Sequence, residues 1–280
     1  MDRAQVCPIG KLEKLLLATD GSQFSEGAIR EAINFAKMCS TRLYAVMVLE
    51  TNPEYETIGS SVLEKEEAEV TRHLASIKTR ASQQGVSCET IFHEGIEPHQ
   101  AIIDEAVDKK ADMIIVGRRG WKGLMKVLMG EVAARVIAHA PCKVLVVPRA
   151  AKIEYRTILV CADGSAHSNA AVSEAIAIAK RCGSTILAVS AMRDNTEQEE
   201  AASNVNKVVE SGQREGIAVE ALTPTGRSYD VIVETAGGRG VDLIVMGTYG
   251  KTGVRKLLMG SATKRVIEHA GCAVLVVKAE

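Results

Sequence analysis

Gly247, Gly250, Gly260 and Ser261 form a spaced set: two glycines three apart, then a glycine–serine pair after nine more residues. Glycine lets backbone approach a ligand closely. N–H groups and a hydroxyl opening a helix hold an anion. The chemistry implied is a phosphate cradle. The set occurs almost twice, because Gly117, Gly120 and Gly130 stand 130 residues earlier, but Glu131 replaces the serine. Two glycines three apart also mark ordinary strand-to-helix turns. Recurrence of the whole pattern favours ligand binding in the second copy.

A second constellation is Asp-Gly-Ser, at Asp20, Gly21 and Ser22 and again at Asp163, Gly164 and Ser165. Two readings stand side by side. Asp-Gly is turn chemistry with the serine capping the next helix, or the carboxylate accepts hydrogen bonds from a ribose. Other candidates fall away. Gly250-Lys251-Thr252 resembles the end of a P-loop, but the first glycine of that motif would fall on Val245. His139 and His269 sit near helix ends, where the dipole favours a structural histidine. Glu64–Glu69 reads as a solvated helix face. No set of nucleophile, base and orienting group assembles, and no metal ligands are assigned.

The elements that must position these residues alternate. Lys14–Ala18, Arg42–Leu49, Val86–Phe92, Met113–Val116 and Lys143–Val147 read as strands. Ser25–Met38, Val62–Gln84, Pro98–Lys109 and Glu131–His139 read as helices. The second copy repeats this order from Thr157 to Val277. Leu12–Glu50 matches Tyr155–Arg193 at 14 of 39 positions, and Lys110–Pro148 matches Gly240–Lys278 at 19 of 39. Duplication of one domain explains both, with a boundary near Ala150–Glu154, giving domains 1–150 and 151–280. The first copy is longer by about 13 residues, placed around Thr51–Ser61. Alternation of β and α predicts a parallel sheet covered on both faces. Ligands of such sheets bind at the carboxyl ends of the strands, where both constellations fall.

Composition narrows the classes. Lysine and arginine number 34 against 35 aspartates and glutamates, so no basic excess points to nucleic acid. No apolar run approaches a membrane span, and Met1–Pro8 has no signal-like apolar core. The seven cysteines have no C-x-x-C spacing. Cys39 with Cys182, and Cys142 with Cys272, fall at matching positions and read as small buried filler, which points to a reducing cytoplasm.

Taken together, Gly247-x2-Gly250-x9-Gly260-Ser261, the Asp163-Gly164-Ser165 block and the closing Ala-x-Cys-x-Val-Leu-Val-Val resemble the universal stress protein family, in tandem, over nearly the whole chain. The resemblance implies two doubly wound five-stranded parallel sheets of order 3-2-1-4-5, related to adenine nucleotide α-hydrolases. It implies ATP, or AMP or ADP, with or without Mg2+ or Mn2+. Backbone near Val189 would meet adenine, and Asp163, preceded by Ala162, would hold ribose together with Gly247. Gly250, Gly260, Ser261 and the Ala262 amide would take phosphates. The corresponding weaker site is Thr19, Asp20, Val46, Gly117, Gly120 and Gly130, with Arg118 and Arg119 placed to pair with Glu131 or to offset it. Family domains pair through their last strands, so Lys143–Val147 and Ala273–Val277 would join within one chain. The expected function is an ATP-binding stress or regulatory protein, cytoplasmic, a homodimer of tandem chains with a protein partner. The alternatives are a slow ATPase, or a scaffold indifferent to nucleotide.

Overall fold

The structure is a computed structural model and describes residues 6–51, 60–119, 129–250 and 259–279. The first copy runs β1 (Lys14–Thr19), α1 (Glu26–Cys39), β2 (Arg42–Glu50), α2 (Ser60–Gln83), β3 (Cys88–Gly95), α3 (Pro98–Lys109), β4 (Met113–Gly117), α4 (Glu131–His139) and β5 (Lys143–Val147). The second runs β6 (Thr157–Cys161), α5 (Ala166–Cys182), β7 (Thr185–Val189), α6 (Gln198–Arg214), β8 (Val219–Leu222), α7 (Ser228–Gly238), β9 (Leu243–Gly247), α8 (Ser261–His269) and β10 (Ala273–Val277). All nine elements expected of the first copy are present. Most of the segment expected to carry the extra residues lies outside the described residues.

Within each copy the strands are parallel and ordered 3-2-1-4-5, and the two sets join as one ten-stranded sheet. The join is the only antiparallel pairing among the named strands: Val144 with Val276, Leu145 with Leu275, and Val146 with Val274. The closing strands read Lys-Val-Leu-Val-Val and Ala-Val-Leu-Val-Val. β-Branched side chains suit a strand packed on both faces. The sheet therefore separates two cores. α1, α2, α5 and α6 cover one face, with Leu15, Ile115, Ile158 and Leu275 beneath them. α4, α7 and α8 cover the other, with Leu16, Ile114, Leu159 and Val274 beneath them, and α3 adds Ile102 and Ala106 to this core.

One aspartate in each copy ties the fourth strand to the first. Asp112 accepts from the Glu13 and Lys14 amides at 2.8 and 2.9 Å. Asp242 accepts from Tyr155, Arg156 and Thr157. Burial pushes the Asp242 carboxyl above its ordinary range, against the lowering by those amides. Registering β1 on β4, and β6 on β9, brings the Asp-Gly-Ser turn beside the glycine loop.

The reading of Cys39 as filler is overturned. Cys39 ends α1 and is bonded to Cys7, with Cα atoms 4.5 Å apart. The N-terminal stretch is thereby pinned to α1. Cys182 and Cys272 are buried and Cys142 is half-buried, and none of the three is in a disulfide. Burial pushes Cys142 and Cys272 each up to about 12. They fit the filler reading; Cys39 does not.

Candidate functional site

In the second copy β6 stops at Cys161 and the chain turns through Asp163, Gly164 and Ser165 into α5. Gly164 has φ +77°, a conformation that disfavours any side chain. Asp163 Oδ1 accepts from the Ser165 amide at 2.9 Å, and Ser165 Oγ caps α5 by accepting from the Ser168 amide. The Asp163 amide donates to Ser168 Oγ, whose own hydroxyl donates to the Cys161 carbonyl. So the turn-chemistry reading holds for one carboxylate oxygen. The other oxygen projects toward the glycine loop: a Cβ built on Gly250 would lie 2.2 Å from Asp163 Oδ2.

Close approach also explains the other two glycines. A Cβ on Gly247 would stand 2.8 Å from backbone and side-chain carbons of His167, and one on Gly260 would stand 3.0 Å from Tyr249 Cα. The loop is thus laced against the first turn of α5. Gly260 is the N-cap of α8, and its own N–H is engaged by the Thr248 carbonyl at 2.9 Å. The first intrahelical bond runs from Lys264 back to Gly260. Among the described residues no side chain caps this helix, and the amides of Ser261, Ala262 and Thr263 are the donors left by helix geometry. Ser261 is exposed and Ala262 half-buried. Among these residues, then, Gly260 shapes the cradle rather than donating into it.

Val189 ends β7, in register with Cys161 of β6, and is buried. Its carbonyl accepts the Ala162 amide at 2.8 Å. Ala162, Asp163, Val189, Gly247, Gly250, Gly260, Ser261 and Ala262 therefore fall along one end of β6, β7 and β9.

His167 escaped sequence reasoning. His167 Nδ1 accepts the Ala279 amide at 2.8 Å and lies 3.3 Å from the Thr248 hydroxyl. The proton consequently belongs on Nε2. Its ring meets Tyr249 edge-on at 4.1 Å. Burial and the nearby Lys278 push this imidazole below its usual range, while Asp163 opposes them. The only sequence signal was a histidine inside the Asp-Gly-Ser block, where the first copy has Phe24.

The first copy is built differently. Asp20 Oδ1 accepts from both the amide and the hydroxyl of Ser22. The Thr19 hydroxyl is buried against Ser25 Oγ and His73 Nε2, each at 3.0 Å. Val46 is buried beside Ala18. A Cβ on Gly117 would meet Phe24 O at 3.1 Å, and the Gly130 amide is engaged by the Arg118 carbonyl. Gly120 lies outside the described residues. Glu131 opens α4, but its carboxylate turns along the helix to Arg135 at 2.7 Å. Arg118 does not pair with Glu131. Its guanidinium crosses to the second copy and donates to the Ala270 carbonyl at 2.7 Å, just past the last turn of α8. The end of a helix offers carbonyls and negative potential, a stronger attraction for a buried guanidinium than an exposed carboxylate already paired.

The universal stress protein family pattern matches residues 11–148 and again 154–278. The chain belongs to the universal stress protein family. A universal stress protein of Methanocaldococcus jannaschii is 38% identical over 148 residues, which is 50% of this chain and 84% of that protein. One from Synechocystis is 34% identical over 149 residues, 48% of this chain and 96% of its own length. Such relatives match one copy at a time. The crystal structure of a universal stress protein from Archaeoglobus fulgidus superimposes with a TM-score of 0.77 at 20% identity, covering 97% of this chain and 100% of that one. It establishes the universal stress protein fold for both copies together. Among the described residues no helix is long and apolar enough to cross a membrane.

Proposed function

We propose that this universal stress protein binds an adenine nucleotide, ATP before ADP or AMP, chiefly in the domain spanning 151–280, and acts as a regulator rather than a catalyst. The observation that carries the proposal is the uncapped start of α8 facing a loop whose glycines are closed against Asp163, His167 and Tyr249. The Ser261, Ala262 and Thr263 amides, with the Ser261 hydroxyl, suit phosphate oxygens. The Asp163 oxygen beside Gly250 suits a ribose hydroxyl. Backbone near Val189 would meet adenine. The Nε2–H of His167 is a donor, not a base, in this tautomer. A Mg2+ or Mn2+ ion would arrive with the phosphates.

Domain 1–150 is the poorer site. A glutamate beside a phosphate at about 4 Å costs roughly 1 kcal/mol in water and about 4 kcal/mol at an effective dielectric of 20. Affinity would fall by about 5-fold to 1000-fold. The Arg135 partner moves the figure toward the lower bound.

The test is direct. Purified protein is denatured and the released nucleotide identified by mass spectrometry, with calorimetry of ATP on the refolded or stripped chain. Ser261→Glu should remove most binding, and Glu131→Ser should create a second, weaker site. Normal ATP binding by Ser261→Glu would show the phosphates lie elsewhere. The same proposal has two 29.9 kDa chains pairing, which sedimentation equilibrium with and without ATP decides, and has nucleotide altering which protein partner binds.

A further inference from the structure

The second copy holds a cavity of about 170 Å³ between α5 and α6, whose polar side chains the nucleotide proposal does not use. Its walls include Ala162, Asn169, Ser173, Asn204, Lys207 and Ser211. Ala162 and Val208 belong to the core under α5 and α6, whereas Val189 and Met246 belong to the opposite core. Ala162, which the nucleotide proposal also uses, forms one wall, but the cavity's polar side chains all stand on α5 and α6, and none of them belongs to that proposal.

The duplication shows why the space exists. α2 and α6 end alike: the Val86 amide donates to Ala81 at 2.9 Å and the Ile217 amide to Gly212 at 2.8 Å. Gly85 and Gly216 hold matching φ values of +75° and +69°. Ala81 therefore corresponds to Gly212, Arg80 to Ser211 and His73 to Asn204. From the Asp-Gly-Ser alignment, Thr19 corresponds to Ala162 and Glu26 to Asn169. In the first copy these positions fill the groove, since Arg80 grips Glu26 at 2.6 and 3.1 Å and His73 reaches Thr19 at 3.0 Å. In the second copy every one of the four is replaced by a shorter or neutral side chain.

What remains is polar. Asn204 is 8% exposed, and among the described residues its amide makes one long bond, 3.4 Å to Ser190 Oγ. Asn169 and Lys207 stand exposed at the mouth. The hydroxyls of Ser173 and Ser211 donate to their own helices, leaving two amides and one ammonium as donors. No carboxylate lines the cavity. An isolated pair of amides beside a cation favours an acceptor that carries negative charge. A cavity of about 150 Å³ holds a guest of about six heavy atoms.

We propose that this cavity binds a small oxyanion-bearing molecule, a carboxylate or a phosphate of about six heavy atoms, gripped by Asn169, Asn204 and Lys207. The test uses side-chain amide signals of Asn169 and Asn204 in a nitrogen-15 spectrum of the full chain. Sodium acetate and sodium phosphate are titrated separately at constant ionic strength, with chloride as control. One of the two should shift both amides saturably, which also tells carboxylate from phosphate. Lys207→Ala should weaken that binding at least 10-fold. Asn169→Glu with Ser211→Arg, which rebuilds the ion pair of the first copy, should abolish it and leave ATP affinity by calorimetry unchanged. Equal shifts with chloride, no shift with either probe, or undiminished binding by both variants would overturn the proposal. Because ATP is read separately, failure here does not touch the nucleotide site, nor the reverse.

Discussion

Arg118 of the first copy donates to the Ala270 carbonyl of the second, and the seam between the copies carries a reciprocal contact in Lys278. Lys278 Nζ donates to the Ala138 and Ala140 carbonyls at 3.0 and 2.7 Å, at the end of α4. Each cation closes the last turn of a helix in the other copy, where the dipole favours positive charge. Burial pushes both groups below their ordinary ranges, so both are held at a desolvation cost.

Lys278→Met should therefore destabilise the chain by about 1.5–3 kcal/mol, the range for a hydrogen bond to a charged group. Arg118→Met should do the same. Chemical denaturation reads both, and Lys65→Met, on the exposed face of α2, serves as the neutral comparison. Unchanged midpoints would mean the seam rests on β5 and β10 alone.

Gly250→Ala isolates the Asp163 contact. Gly250 has no positive φ, so alanine brings no backbone strain, only a methyl 2.2 Å from Asp163 Oδ2. The carboxylate must swing away. ATP affinity should drop at least 10-fold while the melting temperature changes little. Retained affinity would remove Asp163 from the ribose role.

The order and type of the elements were legible because apolar runs and helical periodicity repeat in both copies. Pro98–Lys109, Glu131–His139 and Lys143–Val147 begin and end where the pattern puts them. The pattern puts the third strand at Val86–Phe92, but it runs Cys88–Gly95. It lies on the sheet edge with half-exposed positions, and apolarity marks such a strand weakly. α1 was begun at Ser25, but Ser22 first caps a short 3-10 turn over Gln23–Ser25. The candidate site was legible as a set of glycines and an aspartate, since those depend on local turns. Its lining by His167 and the departure of Arg118 depend on which strands are neighbours, and no spacing encodes that. The Cys7–Cys39 bond was hidden for the same reason.

Three histidines set an acid limit. His73, His99 and His167 are each pushed below the ordinary imidazole range chiefly by burial. The unfolded chain then binds more protons than the folded one near pH 6, so stability rises with pH there. The stabilisation is complete above about pH 6.5, the free imidazole value, and drains as pH falls through the folded values. Proton NMR should show these three titrating below free histidine. His73→Asn should flatten the slope of stability between about pH 5 and 7; an unchanged slope would exclude the residue as its source.

Reduction should loosen the first copy more than the second. The Cys7–Cys39 bond closes a loop with a sequence separation of 32, worth roughly 3–4 kcal/mol in the chain-entropy model. Thiol titration of denatured protein should find five free groups before reductant and seven after. The melting temperature should fall with reductant, and Cys7→Ser should reproduce the fall without it. Seven thiols before reductant would mean that the pair stands open in the purified chain.

Joining β5 to β10 inside one polypeptide has an evolutionary corollary. If two identical chains met along this seam, any substitution would be written into both glycine loops at once. Here each loop mutates alone, while its neighbour preserves the sheet that supports them both. Glu131 against Ser261, and the crowded groove of one half against the open groove of the other, are the marks of that freedom. Joined in one chain, the two halves are free to differ, and they do.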